Sequence, residues 1–317
     1  MTTPDESFDR AVVVRAARAY YLDDLSKIQI AEELGVSRFK VARLLELARS
    51  SGIVTISIND DGVYDDARSA RLRDALRIET AVVVGAVGDD EAVRHTVGRA
   101  AAALLSATLT DGEVVGMGWG RTLSATAEAL QRLPSVSVVQ LTGATEMTRH
   151  LSPVEIVRRM GLHSGGAVTP IFAPLVTDNA ETAATFRRQT DIARALAMYA
   201  DVSTAVMSVG SWQPPSSQLF DSLTGQEQQE LTARGVVAEI GVTLVDVDGN
   251  EVAPDFAERC VAVTSVQLRA IPRVIVVAAG KAKATAVLAL ARAGLVTEVV
   301  ADAELADAVI RLVESSR

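Results

Sequence analysis

Two groups of residues in this 317-residue chain have types and spacings that could do chemistry. The first lies within Lys27 to Leu44, which reads K-I-Q-I-A-E-E-L-G-V-S-R-F-K-V-A-R-L. Arg38, Lys40 and Arg43 can read guanine edges or hold phosphates, and Phe39 can touch a thymine methyl. Ser37 stands where a helix needs an N-cap, and its backbone N–H can also meet a phosphate. Arg49 reads more simply as part of a solvated helix face.

The second group sits in three loops that follow apolar runs. Gly116-Met-Gly-Trp-Gly-Arg-Thr-Leu123 places Gly118 and Gly120 before a helix start, so backbone N–H groups can face an anion or a sugar hydroxyl. Arg121 and Thr122 fall in that first helical turn. Trp119 either stacks on a sugar face or fills the core. In Ala278-Ala-Gly-Lys-Ala-Lys-Ala284, a lysine at a helix N-terminus opposes the helix dipole unless an anion offsets it. Lys281 or Lys283, beside Gly280, is therefore a candidate phosphate ligand. Glu239 lies in the apolar run Val237-Ala-Glu-Ile-Gly241 and needs a protein donor or a ligand hydroxyl.

These residues require particular elements to position them. Ile28, Ile30, Ala31 and Leu34 fit one face of a short helix over about 25–34. Gly35 is the turn, and Val36, Val41, Leu44 and Leu45 pack a second helix over 37–50 onto the first. This is a helix-turn-helix pattern, in which the second helix enters the DNA major groove. A preceding helix is expected over Phe8 to Leu22, with Val12, Val13, Ala16, Ala19 and Tyr20 on its apolar side. Ile53 to Ile58 alternates as a strand or wing would. Asn59-Asp-Asp-Gly62 is a polar hinge, giving a helix-turn-helix domain over 1–60 and a second domain over 61–317.

From Asp65 onward a helix leads into strand-like runs alternating with helices. The runs are Ala81 to Gly85, Glu113 to Met117, Val136 to Leu141, Ala167 to Phe172, Val202 to Val209, Val236 to Val245, Val274 to Ala278 and Val296 to Val300. Helices are expected at about 91–105, from Arg121, at 153–160, over 180–199, at 281–293 and at the C-terminus. Residues 211–230 read as a polar connection. Continuous β-branched runs between helices indicate a mostly parallel sheet covered on both faces. Ligands of such α/β sheets sit outside the carboxyl ends of the strands.

Composition narrows the function classes. A net charge of −9 argues against nonspecific coating of nucleic acid and for a confined basic surface. The only four lysines are Lys27, Lys40, Lys281 and Lys283, two in each of the candidate groups. A single cysteine, Cys260, excludes an internal disulfide, fits a reducing cytoplasm and reads as a core residue. The polar, acidic start suggests no signal peptide, and no run of about 18 apolar residues suggests a membrane span. His95, His150 and His163 stand apart without metal-ligand spacing, His163 reading as a loop residue. No metal or cofactor is expected. Asp246-Val-Asp-Gly249 reads as a turn rather than a calcium loop.

Taken together, the helix-turn-helix, Gly118 to Leu123, Ala173-Pro-Leu-Val176, Glu239-Ile-Gly241, Asp246 to Gly249 and Gly280-Lys-Ala-Lys283 make the chain resemble the SorC-type sugar-responsive transcriptional regulators. The resemblance spans almost the whole length. It implies a Rossmann-like α/β effector domain similar in fold to ribose-5-phosphate isomerase and glucosamine-6-phosphate deaminase. It also implies operator DNA and a sugar, polyol or sugar phosphate as partners, and a homotetramer. Under it Gly118, Trp119, Gly120, Arg121, Thr122 and Gly143 belong to the effector site, Glu239 contacts sugar hydroxyls, and Lys283 is the lysine of a phosphate loop. Two departures stand out. The loop's double glycine is Ala279-Gly280, and Leu141-Thr-Gly-Ala144 has no lysine for a Schiff base. Both a sugar phosphate and a neutral polyol therefore stay open.

A different class is a sugar-phosphate isomerase or deaminase carrying an extra helical domain. Glu239 could serve it as a general base, but no second carboxylate or histidine stands in a matching loop. A DNA-binding scaffold without a ligand is a third class, which the polar, glycine-rich strand ends disfavour.

Overall fold

The computed structural model describes residues 9–54, 64–145 and 152–315. The chain divides into two compact units, Met1–Asn59 and Asp60–Arg317. In the first, α1 (Arg10–Tyr21), α2 (Lys27–Leu34) and α3 (Arg38–Ser50) enclose a small core. Ser26 and Gln29 form a capping box at the start of α2, satisfying donors that the first helical turn leaves open. Gly35 closes α2 in the left-handed conformation at φ 65°, where a side chain would be strained. Ser37 then caps α3, its hydroxyl accepting from the Lys40 N–H at 3.2 Å. Val13, Ala16, Ile30, Val41, Leu44 and Ala48 make the core. Ile28, expected on the inner face, is 56% exposed, because α2 turns Ile30 and Ala31 inward instead. Of the expected wing, residues 55–58 lie outside the described residues.

The second unit is built on a parallel sheet of seven strands. They are β1 (Thr80–Val84), β2 (Val114–Met117), β3 (Ser137–Gln140), β4 (Val168–Thr169), β5 (Thr204–Met207), β11 (Arg273–Ala278) and β12 (Glu298–Asp302). Their order across the sheet is β1-β12-β11-β5-β2-β3-β4. Helices cover both faces, as the uninterrupted Val and Ile runs require, so β5 and β12 are buried at every position. Two aliphatic clusters fill the two sides of this sheet.

A second sheet departs from the sequence expectation. It is antiparallel, with strands β6 (Gly210–Trp212), β7 (Pro215–Ser216), β8 (Ala238–Ile240), β9 (Thr243–Val245) and β10 (Glu251–Val252). Their order is β10-β9-β8-β6-β7. The expected single run over 236–245 is thus a hairpin, because a two-residue connection at Gly241 and Val242 reverses the chain. The expected polar connection over 211–230 holds two strands and the helices Gln218–Ser222 and Gly225–Ala233. Ala167 to Phe172 yields only the short edge strand β4. The helix expected from 281 opens with a 3-10 turn, Lys281–Lys283, before Ala284–Arg292. His163 sits in the last turn of the helix Pro153–Ser164 rather than in a loop, with Nδ1 at 2.7 Å from the Gln131 carbonyl. Asp246 makes a turn, accepting from the N–H groups of Asp248 and Asn250. Cys260 is buried, and burial pushes its thiol up to about 12. No helix among the described residues is long and apolar enough to cross a membrane.

The small N-terminal core has little redundancy. Leu44→Ala, at a fully buried position, should cost this unit about 2–5 kcal/mol. Urea unfolding followed by helical circular dichroism should show an early transition in the variant. A superimposable curve would mean that Leu44 does not hold α3 in place.

Candidate functional site

A cavity of about 600 Å³ opens at the carboxyl ends of the parallel strands. This is where adjacent strands of an α/β sheet diverge and leave a crevice. The loops after β2, β5 and β11 bring in Trp119 to Thr122, Met207 to Gly210 and Ala279 to Lys283. Arg94 enters from the helix Asp90–Thr108, Asp302 from the end of β12, and Ser216 to Leu219 from the start of the helix after β7. Glu239 projects from β8 of the second sheet.

Glu239 is buried, and its neighbours explain how a carboxylate is tolerated there. Gly210 on β6 faces it in the antiparallel register, and a Cβ at 210 would overlap Glu239 Oε1. Only glycine leaves room for the carboxylate. Ser217 Oγ donates to Oε1 at 2.5 Å, and the Trp212 indole N–H donates to Oε2. Burial pushes the Glu239 carboxyl above its ordinary range, and the Ser217 and Trp212 donors oppose that rise. Lys283 lies close by. Its ammonium donates to the carbonyl of Val209 and, at 3.4 Å, to that of Ser216. Burial pulls Lys283 down to about 8, against the Glu239 carboxylate, which favours its charge, while Arg121 and Arg94 disfavour it.

The structure brings most of the sequence-predicted residues to this one cavity: Trp119, Gly120, Arg121, Thr122, Glu239, Gly280 and Lys283. Gly118 and Gly143 do not border it among the described residues. Gly118 donates its N–H to Val206 at 2.8 Å, and Gly143 donates to Val261 at 2.7 Å. Gly143 also approaches Pro174 so closely that a Cβ would meet its carbonyl oxygen at 2.6 Å. Trp119 is 7% exposed and belongs to the aliphatic core while bordering the cavity. The backbone N–H of Gly280, expected to face an anion, donates instead to Asp302 Oδ1 at 2.6 Å. Asp302 Oδ2 accepts from the Leu305 N–H at 3.0 Å, inside the first turn of the helix Ala303–Ser315.

Sequence reasoning missed Arg94, Ser208, Ser217, Gln218 and Asp302. Asp302 carries a legible signal, an acid directly after a β-branched run and before a helix. Ser217 and Gln218 do not, because their segment reads as featureless polar chain.

In the N-terminal unit, Arg38, Phe39 and Arg43 are exposed, and Lys40 is half-buried, all on the first turns of α3. Phe39 is 83% exposed, unusual for an aromatic residue on a helix that has its own core face. Val41, Leu44 and Leu45 are the buried side of the same helix, so the cations and the aromatic ring share its outer side. Among the described residues no cluster of side chains could hold a metal.

The closeness of Lys283 to Glu239 has two measurable consequences. Lys283→Met removes the cation that favours the charged form of Glu239, so the Glu239 carboxyl should rise further above its ordinary range. An unchanged titration of Glu239 in that variant, followed by carboxyl NMR, would show that the two groups do not interact. Lys283 releases its proton at about 8 in the folded chain, below the roughly 10.4 of an unfolded lysine. The unfolded chain then binds more protons between these values, so this group makes stability rise as pH increases from 8 to 10. Melting curves should show that rise in the native chain and lose it in Lys283→Met. Parallel pH profiles would refute the assignment.

With this geometry described, likeness to known proteins is informative. Residues 64–311 match the family described as the sugar-binding domain. The deoxyribonucleoside regulator of Bacillus subtilis is 28% identical over 278 residues, 86% of this chain and 89% of that protein. The sorbitol operon regulator of Klebsiella pneumoniae is 25% identical over 316 residues, 97% of this chain and 100% of that protein. The full-length crystal structure of the latter superimposes with a TM-score of 0.73, covering 95% of this chain and 98% of that one. A helix-turn-helix unit is thus joined to a sugar-binding α/β domain in the chain order of whole regulators, and the chain belongs to the sugar-binding domain family of SorC-type transcriptional regulators.

Proposed function

We propose that α3 reads operator DNA and that a small polyhydroxy compound in the strand-end cavity controls that reading. The observation that carries this is the cavity itself. It lies where α/β domains bind ligands, and its lining is polar and charged at the centre of an otherwise aliphatic unit. Trp119, Gly120, Arg121, Thr122, Glu239, Gly280 and Lys283 are its proposed effector residues. Glu239 and Lys283 shape the floor of the site, and the hydroxyls of Ser216 and Ser217 stand beside them. Gly118 and Gly143 support the loops from behind.

On the DNA side, Ser37 positions α3, and Arg38, Phe39, Lys40 and Arg43 are the proposed contacts. One such helix reads only a few base pairs, so the chain acts as a symmetric oligomer, a homotetramer under the family likeness. Leu162, Phe172 and Val266 are each at least 70% exposed, and they supply apolar surface for subunit contacts. The protein works in the cytoplasm, where its operator is.

An isomerase or deaminase reading is weaker. A general base needs a suitable acid nearby and access to the substrate's proton. Glu239 is buried with each oxygen already accepting a hydrogen bond, from Trp212 and Ser217, and no histidine among the described residues lines the cavity.

Melting temperatures measured with a panel of pentoses, hexoses, polyols and their phosphates test the effector reading, since a ligand that binds the folded state stabilises it by mass action. At least one member should raise the melting temperature and change affinity for the protein's own selected DNA site. No stabilising member, or a stabilising one without effect on DNA affinity, would count against it. Arg38→Ala and Arg43→Ala together should weaken DNA binding by roughly 1–3 kcal/mol for each arginine that reads a base edge. Unchanged affinity in the folded double variant would remove α3 as the reading helix.

A further inference from the structure

The Gly280 to Lys283 loop is the expected anion holder, yet the protein's own groups already fill it. The Gly280 N–H goes to Asp302, and the Lys283 ammonium goes to the carbonyls of Val209 and Ser216. Glu239 stands beside that ammonium as its counter-charge. A phosphate entering here would have to displace these partners and would meet two buried carboxylates.

The other cations of the cavity are differently placed. Arg94 is half-buried, Arg121 is exposed, and neither forms an ion pair with a described carboxylate. Among the described residues Arg121 makes only a long contact, 3.4 Å, to the Ser216 hydroxyl. Both guanidiniums are near enough to Lys283 to disfavour its charge, so three positive groups converge on one volume. The lining acids do not pair with the two arginines. Glu239 and Asp302 have both oxygens occupied by donors, and Asp90 and Glu304 are exposed at the margin. One further group points to a missing polar partner. The Gln218 side-chain nitrogen is buried in the cavity wall without a hydrogen-bond acceptor among the described residues. A buried donor left open is costly, and a ligand oxygen would relieve it.

We propose that the cavity takes an anionic polyol whose phosphate or carboxylate is held by Arg94 and Arg121, rather than by the Gly280 to Lys283 loop, while Gln218 donates to an oxygen of the same ligand. This rests on the effector reading above and assigns its anion-binding end. Arg94, from the first turns of the helix Asp90–Thr108, becomes the residue that separates charged from neutral effectors. Guanidinium forks match both kinds of oxyanion, and each charge-assisted hydrogen bond is stronger than a neutral one.

Inorganic phosphate is a probe that needs no knowledge of the sugar, with acetate as the carboxylate arm. Phosphorus NMR titration of the full chain should show saturable phosphate binding. Arg94→Gln should weaken it about tenfold, the scale of removing one charge-assisted hydrogen bond. Arg94→Lys should restore part of the affinity, and an unchanged melting temperature would establish that both variants fold. Acetate competing as well as phosphate would assign a sugar acid, and phosphate alone would assign a phosphate ester. No saturable binding of either anion, or equal phosphate affinity in Arg94→Gln, would overturn the proposal. If a neutral polyol stabilises the chain while neither anion binds, the effector reading stands and this assignment falls. If neutral and charged compounds all fail, both fall.

Discussion

A buried carboxylate and a half-buried ammonium near it, at the strand ends, constrain much of this molecule. Glu239 can lie there only because β6 places Gly210 opposite it and Trp212 and Ser217 within hydrogen-bonding reach. Lys283 can lie there only because the chain after β5 turns the Val209 carbonyl toward it. Desolvating two charges costs several kcal/mol each, so such a pair persists only with its remaining hydrogen bonds made. The small antiparallel sheet and the parallel sheet share their aliphatic cores, and the cavity opens where Glu239 and Lys283 approach each other between them.

This arrangement changes what the individual charges do. Residues that look like ligand contacts in the sequence are internal partners in the fold. Asp302 binds the backbone at the foot of the β11 loop and also the first turn of the last helix. What remains for a ligand is the set of groups without strong internal partners. Arg121 is legible in its glycine-rich motif, whereas Arg94 and Gln218 come from elements whose sequence does not advertise them. A binding site of this kind is divided between residues that build its walls and residues that reach its occupant. Spacing along the chain does not separate the two.

Much of the architecture is legible in the chain. Capping serines, Gly35 and the inward period of Val41, Leu44 and Leu45 specify the helix-turn-helix locally, so neighbouring residues suffice to read it. The parallel strands are legible because burial on both faces demands continuous β-branched runs. The second sheet is not, since its strands are two or three residues long, too short for a periodic signal, and the β6–β8 pairing that holds it together joins residues well apart in the chain. Ser217 and Gln218 acquire meaning only when β7 delivers them under Glu239. The loop of Gly280 reads as a strand end beside a helix, which it is, but its N–H turns inward because Asp302, 22 residues away, accepts it.

The central claim is that two ligands act on two units of one chain: DNA on α3 and a polyhydroxy compound on the strand-end cavity. Hydrogen exchange read by mass spectrometry tests it most directly, with DNA selected by the protein from random sequence and with a compound that stabilises it. DNA should slow exchange over 37–45. The compound should slow exchange over 118–122, 208–218 and 279–283, and should alter the DNA-dependent protection of 37–45 when both are present. Protection by the compound confined to other segments, or DNA protection indifferent to it, would contradict the account.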